Sequence, residues 1–308
     1  MTVPSRTARP WAYLSVLGAG TLWGTSGPFS VALFQMGLPP ESVALLRTAV
    51  GGAFLGLFLL VLNPRGFKHS GRTLLWMAGA GGLIVGVFQL SFQMSTKAIG
   101  VPSTVALLYL APAFVVATSP FVLGERLSIG RATLAAVSVV GVALTVAGSG
   151  GADVPLTVGG VVWGILCGVT YGSYTMFGRI LSPRHGPLAP LFFSTAGGVA
   201  VLGLAFVLLG IRPILPATPA AWGVVTLFGL TTIAMAAILL FYALRALDAG
   251  RAAIGTTIEP FVAALLAITL LGESVAPHGW LGLALLVVGV SGAYSLGAPR
   301  PTDAGRSG

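Results

Sequence analysis

The chain has 308 residues, of which 56% are apolar and only 7% are charged, and its mean hydropathy is +0.97. A soluble domain carries about 25% charged residues, so this composition excludes a water-exposed surface over most of the chain and makes lipid its main solvent. The net charge of +9 comes from basic residues scattered singly through short polar stretches, which excludes a basic nucleic-acid-binding face.

Ten segments are long and apolar enough to be membrane-spanning helices. A helix needs about 20 mostly apolar residues to cross a bilayer, and its backbone groups must then bond within the segment. The predicted spans are Trp11–Phe34, Val43–Leu62, Thr73–Met94, Val101–Leu123, Ala132–Gly148, Leu156–Ile180, Leu188–Gly210, Ala220–Ala243, Ala252–Leu271 and Trp280–Leu296. We interpret the first as a retained helix rather than a signal peptide, and residues 298–308 as a disordered cytoplasmic tail.

The distribution of basic residues predicts the orientation. With the amino terminus inside, the inner loops and tails hold thirteen basic residues and the outer loops hold two, which with Arg47 inside a span accounts for all 16. Cytoplasmic loops are enriched in lysine and arginine. We therefore expect a multi-pass protein of a bacterial inner membrane with both termini in the cytoplasm.

Short matches recur in the same order in the two halves of the chain. They are Leu22-Trp23-Gly24 with Val162-Trp163-Gly164, Arg47-Thr48-Ala49 with Ser194-Thr195-Ala196, Leu110–Phe114 with Ile258–Val262, and Gly124-Glu125 with Gly272-Glu273. The displacements are 140, 147, 148 and 148 residues. Because each half has five spans, the second half enters the membrane from the opposite side. This predicts an all-α protein of two inverted five-helix repeats, residues 11–149 and 156–297, which is a recurring design of secondary transporters.

These features resemble the EamA family of the drug/metabolite transporter superfamily. The resemblance depends on the Trp-Gly pair in the first helix of each half, on Arg47, and on the proline followed by Gly-Glu at Pro112 and Pro260. It covers nearly the whole chain and implies a gradient-linked or proton-linked carrier of small metabolites, often amino acids or related compounds. In one departure from internal symmetry, Ser194 stands where the first half has Arg47.

Two ionisable residues lie well inside predicted spans, where charge is costly and commonly functional. Arg47 could bind a substrate carboxylate through a bidentate pair, or extend to the outer headgroups. Glu259 lies about 10 Å deep at 1.5 Å per residue, where it could carry a coupling proton, bind a substrate amine, or simply satisfy groups freed beside Pro260. Glu125 and Glu273 follow helix ends and are expected to cap or anchor them.

Aromatic and polar residues are candidates for the lining of a cavity. Trp163, Tyr171 and Tyr174 share one helix face with Cys167, next to a row of glycines that permits close packing. Trp23 is the counterpart in the first helix, and Gln89 and Gln93 form a polar stripe in the third. Ordinary packing is the alternative for these residues. Pro112 and Pro260 each remove a backbone hydrogen bond and can kink a helix, either as a gate or as a static bend.

The leading hypothesis is therefore a secondary transporter of amino acids, related amines or drugs that works by alternating access, in the direction of export, with proton coupling left open. The sequence contains no phosphate-binding Gly-Lys loop and no His-Glu-x-x-His metal motif, and a single cysteine excludes a multi-cysteine metal site. We expect no enzyme activity, cofactor, metal or nucleic-acid partner. The alternatives are a facilitative exchanger or uptake carrier, a membrane-embedded enzyme, or a non-transporting scaffold.

Overall fold

The computed structural model describes residues 10–122, 128–149, 156–244, 246–247 and 249–297. Within those residues the chain forms ten helical spans, α1 to α10. They are α1, Pro10–Gly24 and Ser26–Gln35; α2, Pro40–Leu62; α3, Gly71–Ile99; α4, Val101–Leu108 and Leu110–Val122; α5, Ile129–Gly148; α6, Val158–His185; α7, Leu188–Leu208; α8, Pro219–Ala243; α9, Ala249–Thr256 and Glu259–Leu271; and α10, Pro277–Gly297.

Eight of these spans are long and apolar enough to cross a membrane by length and composition alone, counted over the described residues. The other two are α1, which is divided at Thr25, and α6, whose run of glycines and tyrosines lowers its hydropathy. The prediction of an all-α membrane protein of about ten helices is confirmed.

Hydroxyl side chains fix where several spans begin. The side chains of Ser70, Ser128, Thr157 and Thr218 each accept a hydrogen bond from a backbone N–H of the first turn of α3, α5, α6 and α8. Such caps satisfy donors that have no partner inside the helix. They place helix ends at the points where the apolar runs meet polar loops.

The internal repeat is present in the positions of the helices. The first residues of α1 to α5 are 10, 40, 71, 101 and 129, and those of α6 to α10 are 158, 188, 219, 249 and 277, so every pair is 148 residues apart. The interruptions of α4 at Tyr109 and of α9 at Thr257–Ile258 follow the same displacement. By this register Trp23 corresponds to Tyr171, not to Trp163, and Arg47 corresponds to Thr195, not to Ser194.

Glycines allow helices of the two repeats to pack with their backbones nearly in contact. A Cβ atom added to Gly141 of α5 would lie 2.7 Å from the carbonyl oxygen of Gly282 in α10. One added to Gly82 of α3 would lie 2.6 Å from the carbonyl carbon of Gly197 in α7. These contacts are backbone to backbone, so a side chain at either seam would force the helices apart.

Several predicted boundaries differ from the structure. The sixth span, predicted to end at Ile180, remains helical as far as His185, because a proline near a helix end removes few hydrogen bonds there. The helices α3 and α5 begin before the predicted first residues, since polar residues take part in their first turns. Glu125 and the predicted tail at 298–308 lie outside the described residues.

Candidate functional site

A cavity of about 1120 Å³ opens at one face of the bundle. Its mouth is formed by the end of α2 at Leu62 and Asn63, the junction of α6 and α7 at Gly186 and Pro187, and the end of α8 at Leu244. We call this side the open face. Trp23, Tyr109, Tyr171 and Tyr174 line deeper parts of the cavity. The lining is mainly apolar and aromatic, which suits a solute with an apolar body.

A second cavity of about 110 Å³, which we call the chamber, lies next to the first, which we call the wide cavity, on the side away from the mouth. It shares part of its lining with the wide cavity, namely Trp23, Leu108, Tyr171, Tyr174, Leu191 and Ala237. It adds Arg47 from α2, Gln89 from α3 and Glu259 from α9. Two oppositely charged residues, 212 positions apart in the sequence, therefore line one chamber.

Arg47 is buried, with 5% of its side chain exposed. Its Nη2 donates a long hydrogen bond of 3.4 Å to the Oγ of Ser26, while Nε and Nη1 have no hydrogen-bond partner. The guanidinium carbon lies 4.3 Å from the ring centroid of Phe228 and 5.6 Å from that of Phe92. Aromatic faces attract a cation, but they leave the N–H groups of the guanidinium without acceptors.

Glu259 begins the second segment of α9, directly after the interruption of that helix. Its Oε2 accepts a hydrogen bond of 3.1 Å from the hydroxyl of Tyr109, which is also 3.1 Å from the carbonyl oxygen of Thr256. Tyr109 itself occupies the interruption of α4. One phenolic proton thus serves two acceptors on either side of the break in α9, and it joins the two interrupted helices of the two repeats.

Trp23 connects α1 to an irregular turn in α8. Its indole Nε1 donates a hydrogen bond of 2.9 Å to the carbonyl oxygen of Thr232. That carbonyl lies in a stretch of wider π-helical turns, Leu230–Met235. Such turns often occur at functional sites. The bond holds the indole ring at the junction of the wide cavity and the chamber.

The structure brings together only some of the residues singled out in the sequence. Gln89 lines the chamber, whereas Gln93 is fully buried, lines neither cavity and has no partner for either amide atom. Trp163 is half-buried and also lies outside both linings. Tyr171 and Tyr174 lie about two to three helical turns further along the same face of α6, so the cavity borders only that later part of the face.

The two prolines lie beside helix breaks and not at bends within continuous helices. Pro112 is the third residue of the second segment of α4, and Pro260 is the second residue of the second segment of α9. Proline is tolerated in a first turn, where its missing N–H would have no intrahelical partner. Pro112 lines the wide cavity, while Pro260 is buried and lines neither cavity.

Tyr109, Ser26 and Phe228 belong to the site but were not predicted from the sequence. Tyr109 offered one usable signal, since it is a polar residue in an apolar run three positions before a repeated proline. Nothing in the local sequence pointed to Ser26 or Phe228, because their relation to Arg47 exists only between helices.

Among the described residues, the face opposite the mouth is closely packed. An apolar cluster, which we call the closed-face cluster, lies beyond Arg47 and includes the ring of Phe228. Its members are Leu33, Phe34, Leu38, Val43, Leu46, Val225 and Phe228. Backbone and side-chain hydrogen bonds join the repeats on this side, from Ile214 N to Ser42 Oγ at 2.9 Å and from Ala276 N to the Gly148 carbonyl at 2.7 Å.

Glu273 supplies a third link across the closed face. Both of its carboxylate oxygens accept from the backbone N–H of Val101, at 3.2 and 3.1 Å, at the first turn of α4. Burial raises the pKa of the Glu273 carboxyl, and the bond from Val101 partly offsets this. Gly100, the residue before Val101, has a φ of +79°. The carboxylate therefore caps a helix of the other repeat, in line with the capping role expected for it.

Comparison with known proteins places this architecture in a family. The EamA-like transporter family matches residues 10–147 and 158–295, one match for each repeat. A solved crystal structure has the same fold, with a TM-score of 0.66 at 20% identity, covering 94% of this chain and 98% of that chain.

Curated relatives of similar length are named as transporters. The uncharacterized transporter YwfM of Bacillus subtilis is 25% identical over 278 residues, covering 90% of this chain and 91% of the relative. The uncharacterized inner membrane transporter YicL of Salmonella typhimurium is 25% identical over 294 residues, covering 90% and 93%. An uncharacterized transporter of Archaeoglobus fulgidus is 26% identical over 264 residues, covering 86% and 90%. The resemblance seen in the sequence is confirmed, and this multi-pass membrane protein belongs to the EamA-like transporter family of the drug/metabolite transporter superfamily.

Proposed function

We propose that the protein is a secondary transporter that exports small amphipathic metabolites across a bacterial inner membrane by alternating access. The carrying observation is that the wide cavity at the open face shares six lining residues with the chamber that contains Arg47 and Glu259, while the closed-face cluster packs on the other side of Arg47. A route that is open on one side and sealed on the other is the geometry that alternating access requires.

The orientation supports loading from the cytoplasm. Arg65, Lys68, Arg72 and Arg184 lie in or beside the connections at the open face, whereas Lys97 and Arg212 lie toward the closed face. Basic residues favour the cytoplasmic side. With the open face in the cytoplasm, solutes enter the cavity there and leave at the periplasmic side once the closed face opens.

The matched helix breaks support a conformational exchange between the repeats. The interruptions of α4 and α9 stand at equivalent positions, and the hydroxyl of Tyr109 bonds across the break in α9. Interrupted helices near the middle of a membrane commonly form substrate and ion sites in carriers built from inverted repeats. The related halves can adopt each other's geometry, which gives two states of similar energy.

Site-directed thiol labelling tests alternating access. In a Cys167→Ser background, Ala237→Cys places a thiol where the wide cavity meets the chamber. A membrane-impermeant maleimide should label it rapidly from the open face and slowly from the closed face, and a transported solute should raise the second rate. Leu204→Cys, on a side chain that is 57% exposed on α7, is the matched lipid-facing control and should stay unlabelled from both sides.

Efflux from proteoliposomes tests the assigned residues. Solutes that raise the melting temperature of the purified protein are loaded into vesicles, and their loss is followed for wild type, Arg47→Ala and Glu259→Gln. We expect both variants to lose transport, while Glu41→Gln, outside both cavity linings, retains it. Normal transport by both chamber variants would refute the site, and equal labelling of Ala237→Cys from both faces would refute alternating access.

A further inference from the structure

The guanidinium of Arg47 is charged, buried and incompletely paired. Arginine stays protonated in proteins, and a buried charge without hydrogen-bonded partners is costly. Two of its three nitrogen atoms have no acceptor, and the third has one long bond. The chamber thus contains a cation with unused donors.

The neighbouring acid does not satisfy that cation by direct contact. Glu259 lines the same chamber, but its Oε2 accepts from Tyr109 and no nitrogen of Arg47 donates to it. Glu259 is the acidic residue among the described lining residues. When ionised, Glu259 balances the charge of Arg47 across the chamber while leaving the guanidinium donors open.

We infer that Arg47 exchanges its counter-charge between Glu259 and the carboxylate of a transported solute, so that a proton moves together with each carboxylate. This deepens, and rests on, the proposed function. The end of the guanidinium formed by Nη1 and Nη2 presents parallel N–H donors, and a carboxylate accepts from such a pair in a bidentate geometry.

Charge balance explains why a proton accompanies the solute. With Glu259 ionised, an incoming carboxylate would place two negative charges and one positive charge in a small buried chamber. Like charges close together in a low dielectric are strongly unfavourable. On loading at the open face, Glu259 takes a proton from water and becomes neutral. It returns that proton to water on the other side, after the carboxylate has left.

Among the charged or titratable groups near Glu259, Arg47 is the one that can exchange its counter-charge in this way. The charged or titratable neighbours that interact electrostatically with Glu259 are Arg47 on α2, Tyr109 on α4, and Cys167 and Tyr171 on α6. Arg47 is the cation in this set. The hydroxyl of Tyr109 can turn from Glu259 to the Thr256 carbonyl when the carboxyl is neutral, since both acceptors lie 3.1 Å away.

The same geometry selects the class of solute. The chamber of about 110 Å³ accepts a small head group, and the aromatic cavity of about 1120 Å³ accepts the rest of the molecule. A carboxylate with an apolar or aromatic body fits both parts. A simple amine would bring a second cation next to Arg47 and is disfavoured.

Calorimetry on the full-length protein in lipid nanodiscs tests the exchange without relying on transport. Phenylacetate is the probe, with phenylacetamide and phenethylamine as the neutral and cationic analogues. Titration in two buffers of different ionisation enthalpy gives the number of protons taken up on binding. We expect wild type to bind phenylacetate with uptake of about one proton, and to bind the two analogues at least about tenfold more weakly, as expected for loss of a charge-assisted contact.

Variants separate the two residues. Glu259→Gln should bind phenylacetate without proton uptake, Arg47→Gln should lose phenylacetate binding, and Glu41→Gln should behave as wild type; thermal melting checks that each is folded. Absence of phenylacetate binding, binding without proton uptake in wild type, or unchanged binding in Arg47→Gln would overturn the inference. Opposite-face labelling of Ala237→Cys would still support the proposed function in each of these cases, so the two failures are distinguishable.

Discussion

Replacing Gly100 by alanine should destabilise the protein by about 2.5 kcal/mol through two separable effects. The φ of +79° and ψ of 174° at this position lie in a region that essentially only glycine occupies, and cost alanine on the order of 1 kcal/mol. The added Cβ would also lie 2.6 Å from Oε2 of Glu273. The carboxylate must then move and give up its bonds to the N–H of Val101. A hydrogen bond to a charged group at a partly exposed site contributes about 1.5 kcal/mol.

A double-mutant cycle separates the two effects. Glu273→Ala alone should cost about 1.5 kcal/mol, because only the capping bonds are lost. Once Gly100→Ala has displaced the carboxylate, adding Glu273→Ala should change nothing further, so the double variant should also cost about 2.5 kcal/mol. The coupling energy between the two positions is then about 1.5 kcal/mol, well above the scatter expected for independent sites.

The measurement is reversible unfolding of the purified protein by titration of SDS into mixed micelles. Gly37→Ala is the matched control, because Gly37 has a φ of +89° and open space around the position of its Cβ atom. It should cost about 1 kcal/mol from backbone strain alone. If Gly100→Ala costs no more than Gly37→Ala, or if the two changes in the cycle are additive, the link between Glu273 and α4 does not contribute as described.

Three further outcomes are expected. Gly141→Ala, at the contact between α5 and α10, should lower the free energy of unfolding by about 2 kcal/mol through overpacking against backbone. Gly203→Ala, whose added Cβ atom faces open space, should change it by about 1 kcal/mol or less. Thermal melting in detergent measures both. Because burial raises the pKa of Glu273 above 4.5, ionising this carboxyl opposes folding even though its bonds to Val101 remain, so the melting temperature should fall as pH rises from 4.5 through the raised value, and Glu273→Gln should remove this pH dependence. Trp23→Phe should cost about 1 kcal/mol by removing the indole donor, while Trp76→Phe, at a side chain that is 57% exposed, should be close to neutral in the same unfolding assay.

The ten apolar segments and the internal duplication could be predicted from the sequence, because they are local or periodic properties of it. A run of about 20 apolar residues must become a helix in lipid, whichever helices surround it. The duplication was visible for a similar reason, since the proline and Gly-Glu pairs recur at 148 residues. The weaker Trp-Gly match suggested a displacement of 140, and only the helix positions showed that α1 and α6 also follow 148.

Which residues line the site was harder to predict from the sequence, because this depends on how each helix is rotated about its axis. Trp163 and Tyr171 share a helix face by spacing, yet only Tyr171 reaches the cavity. Gln89 and Gln93 are one turn apart, yet only Gln89 lines the chamber. A periodic pattern defines a face, but the neighbouring helices decide which part of that face borders open space.

The sequence by itself thus determined the solvent of the chain, its ten spans and its inverted duplication, since these follow from hydrophobicity, backbone hydrogen bonding and an odd number of spans in each repeat. Only the tertiary structure decided that Arg47 and Glu259 line one chamber, that Tyr109 bonds across the break in α9, and that the described residues of one face pack into an apolar cluster. Those relations join residues more than a hundred positions apart. They are set by close packing between helices, where a glycine contact or an interrupted turn fixes the rotation and depth of each span.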